Sequence, residues 1–266
     1  MYAWHSILKT VLLYGSRRAD RTGVGTLSCF GLSAEFENTE KSFPAVTTKK
    51  LAFKQMAAEL ACFIQGSDNL EDFHKMGCTI WDGNGNSDYW KPRARFEGDL
   101  GRIYGAQWRN FGGADQLTDL VKGLKKDPYS RRHLVTAWNP GELDKMCLPP
   151  CHCFFQCYVD GKYLDLQVYM RSVDLVLGLP FDIASYALLQ HLIAAETGYV
   201  SRRLLFSFGD AHIYRNHIKA AETILTRQPK LPPELVLSGK LFTFRPEEAS
   251  LKHYDPWPAV KAELNV

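Results

Sequence analysis

Two consecutive prolines running straight into a strand-forming segment, LPPCHCFFQ at residues 148–156, restrict the fold more than any other feature of this chain. A Pro-Pro pair fixes two φ angles and removes two amide donors, so it belongs to a stiff loop and not to a helix interior or a central strand. The FFQCYV run behind it is apolar and β-prone, as a buried strand should be. Cys151 sits at that rigid loop-to-strand junction. Taken alone it is either a small core filler, the commonest fate of a free cysteine, or a thiol aimed at a ligand. Deciding between them needs the rest of the chain.

At 266 residues, with 45% hydrophobic and 12% aromatic side chains, the chain can build one large α/β domain or two small ones. No repeat, low-complexity segment or linker divides it, which favours a single domain over 1–266. A formal charge of +3 gives no reason to expect nucleic-acid binding, although a local arginine cluster could still hold an anion. Seven cysteines form no CxxC pair, and Cys151, Cys153 and Cys157 alternate as strand side chains do. That pattern fits a reducing cytoplasm. The N-terminal segment lacks a basic region and a cleavage site, and no apolar run reaches membrane-spanning length.

Helical periodicity marks residues 2–15, 51–66, 115–128 and 183–198, the last being the most hydrophobic. Strand patterns mark LSCFGLSAEF, the region opening at Arg131-Arg132, and residues 162–182, which end in a turn. Residues 202–225 read as a strand, a Gly-Asp turn and a helix. The DRTGVGT segment (20–26) reads as an anion-handling turn, but it matches neither the GxGxxG nor the Walker pattern. Glu59 lies on an apolar helix, either on its solvent face or buried for proton relay, where desolvation would raise its pKa. Residues 80–111, rich in Gly, Asn and aromatics, read as a long ordered loop region. His212 and His217 are five apart, which is not a two-His metal spacing, so no metal is expected.

Together these segments resemble the thymidylate synthase family along nearly the whole chain. The resemblance rests on DRTGVGT, FPAVTTKK, the Glu59 helix ending FIQG, TIWD, GDLGRIYGAQWR, DPYSRRHLVTAWNPGELDKM, LPPCH, RSVDLVLGLPF, IASYALL, GDAHIYRNH and YDPWPAVK. It implies an α/β (α+β) fold with a large mixed sheet covered by helices, pairing sheet-to-sheet in a homodimer. It implies that Cys151 adds to C6 of a pyrimidine deoxynucleotide, its thiolate favoured by nearby arginines. The one-carbon donor would be 5,10-methylenetetrahydrofolate. Arg21, Arg171 and Ser172, with Arg131 and Arg132 from the partner, would hold the phosphate. His212 and Tyr214 would hold the sugar 3′-hydroxyl, and the deoxyribose itself is taken from the resemblance. Glu59 would relay protons, Tyr104 would help remove the C5 proton, and His152 would be supportive. Asp174, Trp81, Leu148, Leu177, Gly178 and Phe181 would cradle folate and substrate. Lys49 would lie near the glutamate tail of the folate, and the C-terminus through Val266 would close the site.

The chain departs from the family where the base is read. Members acting on dUMP carry LPFN; here the segment is LPFD, placing Asp182 at the asparagine position. An amide complements the N3–H donor and O4 acceptor of uracil. Cytosine reverses that edge, and a protonated carboxyl, or a carboxylate facing an N3-protonated ring, complements it. A carboxylate against O4 sets acceptor against acceptor, at about 2 kcal/mol or more per mismatch. MRS (170–172) in place of QRS, and Leu60-Ala61-Cys62 in place of LLW, are further departures. Aspartate and MRS together point to the phage dCMP hydroxymethylase branch, and so to host-cell cytoplasm and phage DNA modification. Hydroxymethylation of dCMP is the leading expectation, methylation of dCMP the next, and thymidylate synthesis on dUMP the third. A water-tight site favours reduction to methyl, and the presence of Trp81 and of the full tail supports it. A non-catalytic nucleotide- or RNA-binding relative would have lost Cys151 or Glu59, and both are present.

Overall fold

The computed structural model describes residues 2–263. In chain order its elements are α1 (Tyr2–Tyr14), β1 (Ser16–Arg18), β2 (Thr26–Glu37), α2 (Phe53–Gln65), α3 (Leu70–Lys75), α4 (Asp82–Gly85), α5 (Tyr104–Arg109) and α6 (Gln116–Lys126). Then come β3 (Leu134–Thr136), β4 (His152–Asp160), β5 (Tyr163–Asp174), α7 (Gly178–Thr197), β6 (Val200–Tyr214), α8 (Ile218–Thr226), β7 (Glu234–Leu237) and β8 (Ala249–Lys252). Six strands form one sheet in the order β1-β2-β6-β5-β4-β3. Only β5 and β6 pair in parallel; the other neighbours are antiparallel, so the sheet is mixed, as expected. The parallel pair needs a long crossover, and α7 supplies it.

α7 is apolar nearly all round, the mark of a helix buried on every side. It packs on one face of β5 and β6, with α2 against its other flank. Its few polar side chains are satisfied: Gln190 Nε2 donates to the carbonyl of Leu164 (2.7 Å), and Asn38 Nδ2 donates to Gln190 Oε1 (3.0 Å). α2 ends at Gly66, whose left-handed φ of 76° lets its amide cap the helix carbonyls. Gly105 lets α5 lie directly on α2: a Cβ there would meet the Phe63 carbonyl oxygen at 2.4 Å. That close approach positions Tyr104, the first residue of α5, over the site.

The opposite sheet face is more open. Phe154 stacks on Tyr169 (5.4 Å), and Gln167 Nε2 donates to Ser207 Oγ (3.0 Å). On that face Tyr158 of β4 is 65% exposed.

Two sequence expectations fail in instructive ways. β6 runs unbroken through Gly209-Asp210, where a turn was expected. Gly209 is there for close packing, because a Cβ would meet the Arg171 carbonyl oxygen at 2.6 Å. The segment before residue 183, expected to be a turn, is already helical from Gly178, so Asp182 is carried on α7 and not on a loop. The region opening at Arg131-Arg132 keeps only a three-residue strand, and residues 80–111 include α4, α5 and a short 3-10 turn. No described helix is long and apolar enough to cross a membrane.

Candidate active site

The loop before β4 is held from outside, as a Pro-Pro segment must be. Arg171 donates from Nε to the Pro150 carbonyl (2.7 Å) and from Nη2 to the Pro149 carbonyl (2.9 Å). Its backbone N–H donates to the Cys151 carbonyl (2.9 Å), and its guanidinium lies over Trp138 (5.4 Å). The same Nη2 is 4.0 Å from Cys151 Sγ. Arg171, expected as a phosphate ligand, is therefore also the brace of the nucleophile loop. The expectation that arginines depress the thiol is corrected. Arg171 does pull the Cys151 pKa down, but burial outweighs it and Asp182 opposes it, so the net direction is up. In the free protein Cys151 holds its proton more tightly than an ordinary thiol.

Around Cys151 stands an aromatic wall. Its backbone N–H donates to Tyr104 Oη (2.9 Å), and the Tyr104 ring stacks on His152 (3.9 Å, 16° between planes). Burial keeps the Tyr104 phenol protonated well beyond its ordinary range. His152 is pushed down to about 3 by burial and is neutral. Its Nδ1 lies 2.6 Å from Tyr186 Oη, and its Nε2 is 4.0 Å from Asp182 Oδ1.

Glu59 is buried on α2, not on its solvent face. Trp81 Nε1 donates to its Oε1 (2.8 Å). Burial raises its pKa to about 7 against the pull of that bond. Asp182 is raised well above the carboxylate range, first by burial and then by Glu59 and Asp174 nearby. Two buried carboxyls that repel each other hold protons that exposed ones would lose.

The far end of the sheet carries the other polar candidates. In register, Ser172 faces Asp210 and Asp174 faces His212 across β5 and β6. Asp210 Oδ1 lies 3.2 Å from His212 Nδ1 and accepts from Ser28 Oγ (2.7 Å), while Arg18 Nη1 donates to Oδ2 (2.9 Å). Tyr214 meets His212 edge-on (5.1 Å). Asp20 ties the DRTGVGT turn by accepting from Thr22 Oγ1 (2.9 Å) and from the Gly25 amide (3.0 Å). This leaves Arg21 exposed at its tip. Arg131 and Arg132 are exposed as well, before β3.

Near the start of α7, Leu177, Gly178, Phe181 and, from the nucleophile loop, Leu148 are all partly exposed. Trp81 is buried. Lys49 is turned inward, its Nζ donating to the Val176 carbonyl (2.6 Å), and burial lowers its pKa to about 8 against the pull of Asp174. Val266 lies outside the described residues. Tyr186 and Asp210 were not singled out from the sequence: one was hidden in an apolar helix, the other read as part of a turn. The identity of their neighbours, His152 and His212, was the only signal available.

A thiol on a braced loop stands beside two shielded carboxyls whose pKa values are raised, a setting suited to covalent and proton-transfer chemistry. The comparisons agree on the class. The thymidylate synthase family profile matches residues 2–266, and the chain belongs to that family. It is 47% identical to "Probable thymidylate synthase" of Escherichia phage T5, with all of both chains covered. It is 43% identical, again over the whole of both, to "Thymidylate synthase" of Enterobacteria phage T4. The chain is accordingly a one-carbon transferase of nucleotide biosynthesis, with 5,10-methylenetetrahydrofolate as donor.

Proposed function

We propose that this chain transfers the one-carbon unit to C5 of dCMP and that water completes the product as 5-hydroxymethyl-dCMP. The observation that carries the reading is Asp182, a recessed carboxyl at the family's asparagine position, whose burial and acidic neighbours raise its pKa and so favour the protonated form. A neutral carboxyl offers one donor and one acceptor, which complements N3 and the 4-amino group of cytosine.

In this reading Cys151 gives up its proton as it attacks C6, helped by Arg171, and the ring electrons move to C5. The folate, when bound, would supply the methylene carbon and leave as tetrahydrofolate, its carbon–nitrogen bond breaking as the C5 proton is lost and an exocyclic methylene forms. Tyr104, hydrogen-bonded at the Cys151 amide, assists removal of the C5 proton. Glu59, at about 7, can hold or release a proton at neutral pH. Addition of water to the exocyclic methylene and expulsion of the Cys151 thiolate then give the hydroxymethyl product. Ser172, Arg171 and Arg21 would hold the phosphate, and His212 and Tyr214 would take the sugar. The partly exposed Leu148, Leu177, Gly178 and Phe181, with Asp174 and Trp81, suit a flat ring with polar edges. The donor's glutamate would run toward Lys49.

Arg131 and Arg132 are exposed within their own chain, and the sheet face of Phe154 and Tyr169 also carries Tyr158, 65% exposed. Both features support a sheet-to-sheet homodimer in which the two arginines complete the partner's phosphate site. We assign the protein to the cytoplasm, that of the host if it is phage-encoded.

A second reading, reductive methylation of dCMP, is favoured by how firmly the tail is strapped down. Tyr254 Oη donates to the Val46 carbonyl (2.7 Å), the Trp257 amide to the Thr47 carbonyl (2.7 Å), and His217 Nε2 to the Glu263 carbonyl (2.7 Å). Incubation with dCMP or dUMP and methylenetetrahydrofolate, with product mass and dihydrofolate release both recorded, tests all three outcomes. A hydroxymethyl product from dCMP without dihydrofolate is expected. A methyl product with dihydrofolate establishes the second reading, and turnover of dUMP but not dCMP overturns the base assignment.

A further inference from the structure

Tyr186 is absent from the chemistry above, yet its hydroxyl is buried beside it. Among the described residues its hydrogen-bond partner is His152 Nδ1, at 2.6 Å. A buried O–H needs an acceptor, and one left without it costs about 1–3 kcal/mol. If Nδ1 carried the imidazole proton, Tyr186 could only accept, and its own hydrogen would face no partner. The arrangement that satisfies both groups has Tyr186 donating to Nδ1. His152 is neutral, so its single ring proton is then on Nε2.

That nitrogen lies 4.0 Å from Asp182 Oδ1, too far for a direct hydrogen bond but within reach of a dipole interaction between two largely shielded groups. The stack of Tyr104 on His152 and the edge-on packing of Tyr186 (5.2 Å) fix the imidazole plane, so the N–H dipole cannot turn away. An N–H beside Oδ1 favours that oxygen as the acceptor and leaves the carboxyl proton on Oδ2.

We infer that Tyr186 is a specificity-determining positioning residue: through the His152 tautomer it fixes which oxygen of Asp182 carries the proton. The inference rests on the reading that Asp182 faces the base with Oδ1 opposite the exocyclic 4-position. With the proton on Oδ2, the carboxyl donates to N3 of cytosine and accepts from its amino group. Uracil requires the reverse, a donor opposite O4, which sets two hydrogens against one another at His152 Nε2. Aspartate alone permits either base in principle. Aspartate with a fixed tautomer beside it permits one.

The test compares kcat/KM for dCMP and dUMP in the wild-type enzyme and in the Tyr186→Phe and Asp182→Asn variants. It also reads the His152 tautomer directly from nitrogen-15 shifts in the free enzyme. Phenylalanine keeps the ring that packs on Phe155 and Phe206 and removes only the hydroxyl. Expected are an Nε2–H tautomer in wild type, a mixed one in Tyr186→Phe, and a dCMP:dUMP ratio in that variant lower by about tenfold, the scale of one hydrogen-bond preference. An Nδ1–H tautomer in wild type overturns the inference. So does an equal loss on both substrates, which would mark Tyr186 as structural. If Asp182→Asn shifts the ratio and Tyr186→Phe does not, the base reading stands and this inference falls. If neither moves it, both fall.

Discussion

The two ends of the site are built differently. Around Cys151 every group is held by its own chain: Arg171 braces the loop, Tyr104 takes the Cys151 amide, and Trp81 takes Glu59. At the anion end, the side chains of Arg21, Arg131 and Arg132 are exposed, although the turn beneath Arg21 is tied by Asp20. Burial follows the same division. It raises Cys151, Glu59 and Asp182 and lowers His152, while the three arginines stay at the surface. The reacting end is preorganised within one chain. The anion end, in our reading, awaits a second copy.

The largest effects should come from the preorganised end. Cys151→Ser should lower kcat by on the order of 10^4-fold or more, as loss of a covalent nucleophile does, and should abolish a mass-detectable nucleotide adduct. Full activity in that variant would remove the covalent step. Glu59→Gln should lower kcat by about 10^2- to 10^4-fold while changing stability in the opposite sense. The Glu59 pKa is about 7 in the folded chain against 4.5 unfolded. Its contribution to stability is thus complete below pH 4.5 and lost as pH rises through about 7. Above that range the buried charge costs up to about 3 kcal/mol. Glu59→Gln should therefore melt at a higher temperature than wild type at alkaline pH and with a flatter pH dependence. A variant that is inactive and also less stable at every pH would contradict the buried-relay picture.

The exposed end should respond more mildly and in a different parameter. Arg131→Ala or Arg132→Ala should raise KM for the nucleotide by about 10- to 100-fold, the worth of one charge-assisted hydrogen bond, with little change in kcat. Mixing Arg131→Ala subunits with Cys151→Ser subunits should restore one intact site per heterodimer. No recovery in the mixture would mean that each chain completes its own anion site.

This contrast also explains what could be read from sequence. The Gly66 helix end, the amphipathic helix that became α6 and the strand behind the Pro-Pro pair are local patterns, and the structure has them. The start of α7 was misplaced because Gly-Leu-Pro resembles a turn; tertiary burial overrides that local preference, and Pro180 lies in the first turn of the helix, where its missing N–H costs nothing. Gly209 was misread because its reason for being glycine is a neighbouring strand and not a bend. The Cys151 pKa was misjudged because composition shows the arginine but not the burial that outweighs it. Tyr186 meets His152 through packing, which no spacing in the chain records, whereas Asp210 lies two residues before His212 on β6, a pairing hidden by reading Gly-Asp as a turn.

The finest division between the two ends lies in the Glu59–Trp81 pair. The Trp81 N–H stabilises the carboxylate form of Glu59 at 2.8 Å, pulling its pKa down while burial pushes it up to about 7. Replacing Trp81 by Phe keeps an aromatic ring against Phe63 and Tyr104 but deletes that donor. The Glu59 pKa should then rise above 7, and the inflection it sets in the pH–rate profile should move alkaline by about one unit, equivalent to 1.36 kcal/mol of lost preference for the charged form. Activity well above both inflections should change only a few-fold. The sign is the sharp part of the test. An acidic shift would require that the indole stabilises the protonated acid, which an N–H donor at Oε1 cannot do, and an unmoved profile would mean that the titrating group is not Glu59. The exposed arginines, mutated singly, should leave the same inflection where it is, because none of them touches the relay.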